Sequence, residues 1–174
     1  MSDLESQPSE ISKKPESSRY LIDSLAQLKQ ETNDLFAYAK QTIQIYSHGL
    51  DPRILNNRDI EQQLMRFVKK SRSCKVQILI YDEQFMRGID HRLVSLAQRF
   101  TSYIELKVVA KEHHDNPFGF YLVDGKNMIY RNNIERYEAE KFQMPHFAIK
   151  DKNKLFEAIW QASSPASFLR ALHL

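Results

Sequence analysis

The chain lacks the features that would make it a membrane span, a disulfide scaffold or a zinc module. No apolar run approaches the roughly 20 residues needed to cross a bilayer, and the first residues lack the apolar core of a secretory signal. One cysteine, Cys74, cannot form an internal disulfide. It reads as a small packing residue just before a strand, and the cytoplasm is the expected compartment. Six histidines are present, but no pair has zinc-finger or helical i, i+4 spacing, so neither a metal nor a cofactor is expected. No internal repeat appears, which excludes a two-lobed enzyme within these 174 residues. Charge is nearly balanced at +3. That excess permits contact with nucleic acid or an anionic surface without demanding it.

Enough apolar residues are present, 42%, to build one core of ordinary size. Residues 1–18 are rich in Ser, Glu, Lys and Pro and nearly free of apolar side chains, so they read as a disordered tail before a domain spanning 19–174. From Arg19 to Lys40 the apolar residues follow a helical period, as one long helix or as two short ones divided at Thr32-Asn33. Thr42 to Ser47 alternates as a strand, and His48-Gly49-Leu50-Asp51-Pro52-Arg53 breaks it. Asn56 or Asn57 can cap a helix with Ile60, Leu64, Phe67 and Val68 on one face, whose last turn and exit carry Arg66, Lys69, Lys70, Arg72 and Lys75.

Val76 to Tyr81 is apolar enough for an inner strand, and Asp82-Glu83 ends it. Asp90 is the expected cap of a helix buried through Leu93, Leu96, Ala97 and Phe100, and Ile104, Leu106 and Val108 alternate in the next strand. This order of strands and helices predicts an α/β fold with a mixed, largely parallel sheet and helices on both faces. Later, His146 to Ile149 reads as a short edge strand, Lys152 to Ala162 as a helix, and Ser164-Pro165 as the start of a last helix.

The run Phe118 to Arg131 is the most informative stretch. Asp124-Gly125-Lys126-Asn127 supplies a tight turn between two apolar strands, predicting a hairpin whose first strand is central and ends in an acidic residue. A buried strand running into Val-Asp-Gly-Lys resembles the signature strand of the phospholipase D-like superfamily, H-x-K-x-x-x-x-D. With Asp124 as the motif's aspartate, its histidine position falls on Pro117 and its lysine position on Gly119. The resemblance implies half of a phospholipase D-like domain from about Leu35 to Trp160. The whole chain also resembles a bacterial family of single domains sharing Leu50-Asp51-Pro52, Val123-Asp124-Gly125 and a Leu169 to Leu174 ending, some of them joined to acetyltransferase domains. Active superfamily members use two histidines, with lysines on the phosphate, and single-motif chains obtain both histidines by dimerising.

The expectation is therefore a non-catalytic module that binds a protein partner or, weakly, nucleic acid. The alternative is a divergent phosphodiesterase or nuclease working as a homodimer through loop histidines. His113 and His114, beside Asp115, are its candidate catalytic groups, with Asp124. Asp124 otherwise serves the turn by accepting backbone hydrogen bonds. Lys126, Tyr130, Arg131 and Arg136 offer cations and a stacking surface to nucleic acid, and Arg66, Lys69 and Lys70 offer a phosphate-binding patch. Asp51, Asp82 and Glu83, at the ends of the parallel strands, would oppose phosphate unless the basic helix ends face another surface.

Overall fold

Val123 pairs with Asn127 across the expected turn, and the two strands so joined lie in the middle of an eight-stranded sheet. The computed structural model describes residues 18–169. Apart from Ser18, the expected N-terminal tail lies outside the described residues, as does the chain end carrying Leu172 and His173. The elements in order are β1 (Arg19–Ile22), α1 (Leu25–Ala37), β2 (Thr42–Tyr46), α2 (Pro52–Leu55), α3 (Arg58–Lys70), β3 (Lys75–Ile80) and α4 (Arg92–Arg99). Then come β4 (Ile104–Val108), β5 (Gly119–Val123), β6 (Asn127–Arg131), β7 (Ala139–Gln143), α5 (Phe147–Ala162) and β8 (Ser164–Pro165).

The sheet order is β1-β7-β6-β5-β2-β3-β4-β8. Among the described residues only β2–β3 and β3–β4 are parallel, and every other pairing is antiparallel. The sheet is thus mixed but mostly antiparallel, which corrects the expected parallel majority. The crossovers through α3 and α4 do produce parallel neighbours. The hairpin, however, lays β5 antiparallel against β2, and β1, in a segment of helical period, and β7 add further antiparallel pairs.

Helices cover both faces. Ile43, Ile45, Val76, Ile78, Tyr121 and Val123 pack in one buried cluster with the apolar sides of α1, α3 and α4. Tyr46, Leu79, Phe120 and Leu122 pack on the other side against Ile149, Phe156, Ile159 and Trp160 of α5. β5 is buried at all its positions because both of its faces are covered.

The local signals worked where a single element contained them. Asn57 Oδ1 accepts from Ile60 N at 3.0 Å and caps α3, whose buried stripe is the expected one. Other expectations are corrected. Arg19–Ile22 is a strand, because its backbone pairs with β7, and Ser24 caps the helix that follows. Of the two forms open to the next segment, the undivided helix is the one found, and the Thr32 hydroxyl donates to Leu28 O at 2.7 Å within it. His91 rather than Asp90 caps α4, its Nδ1 accepting from Leu93 N. His146 likewise caps α5, so Phe147 to Ile149 are helical and the edge strands lie elsewhere, Ser164-Pro165 pairing with β4.

Candidate functional site

Ligands of α/β sheets gather where parallel strands end, and here that end holds a network of aromatic and imidazole groups. β2–β3 pairing continues past Tyr46, with Ser47 N donating to Leu79 O and Tyr81 N to His48 O, both at 3.0 Å. The His48 ring stacks on Tyr81 with centroids 3.9 Å apart, and the His114 ring stacks on the same phenol at 5.0 Å. Asn116 O accepts from His48 Nε2 at 2.8 Å and from the Tyr81 hydroxyl at 2.7 Å. The Tyr81 proton is thereby committed, so Tyr46 donates to Tyr81 at 2.8 Å and itself accepts from Asn116 Nδ2 at 3.2 Å. His114 Nε2 donates to Val109 O at 2.9 Å. In each imidazole Nε2 is the nitrogen held by a backbone carbonyl, and Nδ1 is the other ring nitrogen.

Burial pushes the Tyr46 and Tyr81 hydroxyls up, and burial lowers His48 and His91. The two histidines make stability depend on pH in a definite direction. Their folded values lie below the ordinary 6.5 of an unfolded chain, so on acidification the unfolded state binds protons first. Stability is full above about pH 6.5 and declines as pH falls from there toward the folded values. Unfolding midpoints compared near pH 7.5 and near pH 5.5 should be lower in acid. The drop should shrink when both histidines are replaced by glutamine. An undiminished drop in that double variant would assign the acid sensitivity to other groups.

Three carboxylates at this end, Asp51, Asp82 and Glu83, are engaged. Asp51 accepts from Arg53 N and Arg53 Nε, each at 3.1 Å, and lies 3.5 Å from Arg131 Nη1. Asp82 accepts from Gln84 N, and Glu83 accepts from the backbone N–H and hydroxyl of Ser167. Among the described residues no group of His, Cys, Asp and Glu converges as a metal site would require.

Gly119 and Pro117, where the resemblance puts the motif's lysine and histidine, flank this network. A Cβ on Gly119 would stand 2.9 Å from the backbone oxygen of Tyr46 and 3.2 Å from Ile134 Cδ1. The first contact is with main chain, which cannot step aside as a side chain can. Pro117 is exposed, and its carbonyl accepts from Ile134 N.

The expected binding residues do not form one surface. Arg131 is 2% exposed and works inside the protein: Nε donates to Arg136 O at 3.0 Å, and Nη2 donates to Ile134 O and Arg136 O. It also stands beside Tyr121, whose hydroxyl burial pushes up to about 12 against the pull of that guanidinium. Arg131 is therefore withdrawn from any partner. Tyr130 contacts Phe118, and Lys152 Nζ lies 5.3 Å from its ring centre, so its stacking partners belong to its own chain. Arg136 is exposed on the loop that Arg131 holds. His113 closes a short turn before His114, and its carbonyl accepts from Asn116 Nδ2. Asp124, Lys126, Lys69 and Lys70 are at the opposite end of the sheet, and Arg66 lies one turn before Lys70 on α3. There Asp124 accepts from the backbone N–H groups of Lys40, Gln41 and Thr42 at 2.9, 2.7 and 2.9 Å.

His48, Tyr46 and Tyr81 were missed in the sequence. The available signal was spacing: Tyr46 and His48 are two apart on an extended segment and share a face.

A family model described as "Domain of unknown function (DUF7931)" matches residues 24–172. The chain belongs to this family. No curated protein matches it. Among solved structures, TrmBL2, an archaeal chromatin protein described as showing a novel mode of DNA binding, is similar with a TM-score of 0.62 at 14% identity, over 90% of this chain and 56% of that one. This member of the family thus spans just over half the length of the chromatin protein. Nuc from Salmonella typhimurium, a phospholipase D family member, gives a TM-score of 0.59 at 13% identity over 87% of this chain and 99% of its own. NucT from Helicobacter pylori gives 0.58 at 13% over 87% and 100%. At such identities the likeness is one of fold, and the fold is the phospholipase D fold.

Proposed function

We propose that this chain is a phospholipase D-like module that acts by binding and does not cut phosphodiesters. The observation that carries this reading is the closed space at Gly119, where a Cβ would meet the Tyr46 carbonyl at 2.9 Å. Cleavage by the superfamily's chemistry needs a nitrogen nucleophile at phosphorus and cations beside the developing charge. With the motif equivalence adopted above, Pro117 supplies no nucleophile and Gly119 no cation. The fold shared with a DNA-binding chromatin protein and with Nuc supports nucleic acid as the class of partner. A protein partner, such as the acetyltransferase domains implied by the family resemblance, is the other member of the binding class. Co-purification from cells tests it.

One observation favours a second reading. His114 and His48 approach the same phenol, each with Nε2 held by a backbone carbonyl, and two imidazoles side by side are what a divergent phosphodiesterase would need. Purified protein mixed with bis(p-nitrophenyl) phosphate and with single- and double-stranded DNA separates the two. The binding module gives no turnover. Hydrolysis abolished by His48→Ala or His114→Ala would overturn it in favour of the enzyme.

A further inference from the structure

The topology sends the basic ends of several elements to one place. α1 ends, β2 begins, α3 ends and β3 begins on the side of the sheet opposite the imidazole stack, and the β5–β6 turn joins them there. Direct contacts tie these ends together: Lys70 Nζ donates to Ala39 O at 3.0 Å, Lys75 N to Gln41 O at 3.0 Å, and Lys40 N to Asp124. Lys69, Lys70 and Arg72 leave α3 at this end, and Lys40 and Lys126 stand exposed beside them. The condition under which acids at the strand ends would not oppose phosphate is met, because cations and those acids occupy opposite ends.

An open depression of about 510 Å³ lies within this basic end, lined by Tyr38, Lys40, Gln41, Lys126, Asn127 and Lys141 among others. Tyr38 follows α1 and is 76% exposed. The carboxylates near the depression are occupied. Asp124 accepts three backbone N–H groups, and Glu31 pairs with Lys141 at 2.6 Å. Among the described residues no carboxylate forms a salt bridge with Lys40 or Lys126. An exposed aromatic face ringed by lysines fits a single strand of nucleic acid, whose bases stack while its phosphates meet the cations. It fits a duplex less well, because stacked bases are closed to Tyr38.

Resting on the reading of the chain as a binding module, we infer that it binds single-stranded nucleic acid at this basic end, with Tyr38 as the stacking platform and Lys40, Lys126 and Lys69 on the phosphates. The site is at the opposite end of the sheet from Pro117 and Gly119, where the resemblance puts the motif's histidine and lysine.

The test is fluorescence anisotropy of the full chain with a labelled oligothymidylate of about 20 nucleotides, titrated at several salt concentrations. Affinity should fall steeply with salt. The triple variant Lys40→Gln, Lys126→Gln, Lys69→Gln should flatten the log–log salt slope by about one per lysine removed. Tyr38→Ala should weaken binding about tenfold while changing that slope little. A control at the opposite end, Arg87→Gln with Lys111→Gln, should bind as the parent does, and all variants should melt as the parent does. Loss in the control with retention in the basic-end variants overturns the inference, as does an unmodified protein that ignores the oligonucleotide or binds only phosphatidylserine vesicles. None of these results touches the module reading, which fails on phosphodiester turnover instead.

Discussion

Replacing Arg131 with alanine should lower the free energy of unfolding by about 3–5 kcal/mol, a large part of the stability of a domain this size. The guanidinium is 2% exposed and donates to the carbonyls of Ile134 and Arg136, so it holds the loop between β6 and β7 from inside. Asp51 is a lesser part of the effect. Its oxygen is 3.5 Å from Arg131, and Arg53 Nε already pairs with it at 3.1 Å, so the carboxylate keeps a partner after the substitution. The cost falls on the orphaned loop carbonyls and on the vacated space. Arg131→Lys should recover less than half of the loss, because one ammonium cannot reproduce a planar fork aimed at two carbonyls. Urea denaturation of the three proteins measures this. A loss below about 1 kcal/mol for Arg131→Ala would mean that water or other donors satisfy the loop.

Arg131 also shows where the sequence stops being legible. In one dimension it is a cation beside a tyrosine on a hairpin, which is also how a nucleic-acid contact looks. Its partners, Ile134 and Arg136, are near in sequence, but the burial that makes those contacts obligatory comes from packing Asp51 and Tyr121 over it. Elements whose determinants are local were readable. The hairpin is written in apolar runs around an Asp-Gly turn, α3 in a cap and a stripe, and β3 in continuous apolar residues. Arg19–Ile22 and Ala139–Gln143 were not readable, since the first is a strand because it pairs with the second, and the second because it lies between β1 and β6. Irregular burial along β7 further erases the period of two.

The candidate site divides in the same way. His114 stood out in sequence, but Tyr81 and His48 come from the ends of two other strands, β3 and β2, and no spacing along the chain brings His48 to it. The basic end is instructive in the opposite sense. Lys69, Lys70 and Lys126 were each legible as cations, yet whether they face the acids at the strand ends depends on the direction of α3 and of the hairpin. Parallel β2 and β3 require α3 to run back across the sheet, which puts its C-terminus beside the start of β3, away from Asp51 and Asp82. That step is topological, and it becomes available only once the strand order is known.

Asp124→Ala should cost about 2–4 kcal/mol, although the residue is only partly buried and lies on a hairpin turn. Its two carboxylate oxygens accept three consecutive backbone N–H groups, Lys40, Gln41 and Thr42, where the chain enters β2. Charged acceptors make the stronger hydrogen bonds, and here they fix the entry of a central strand to the turn of its neighbour. Asp124 also has a φ of +54°, a conformation alanine adopts less readily than aspartate or asparagine. Two further substitutions separate the contributions. Asp124→Gly relieves the backbone but removes the acceptors, and should still lose most of the stability. Asp124→Asn keeps one acceptor oxygen and tolerates the φ, and should lose about half as much as alanine. If glycine proved as stable as aspartate, the carboxylate would be a bystander and the conformation of the turn would account for the whole effect. If asparagine proved as damaging as alanine, the negative charge itself would be what holds the start of β2.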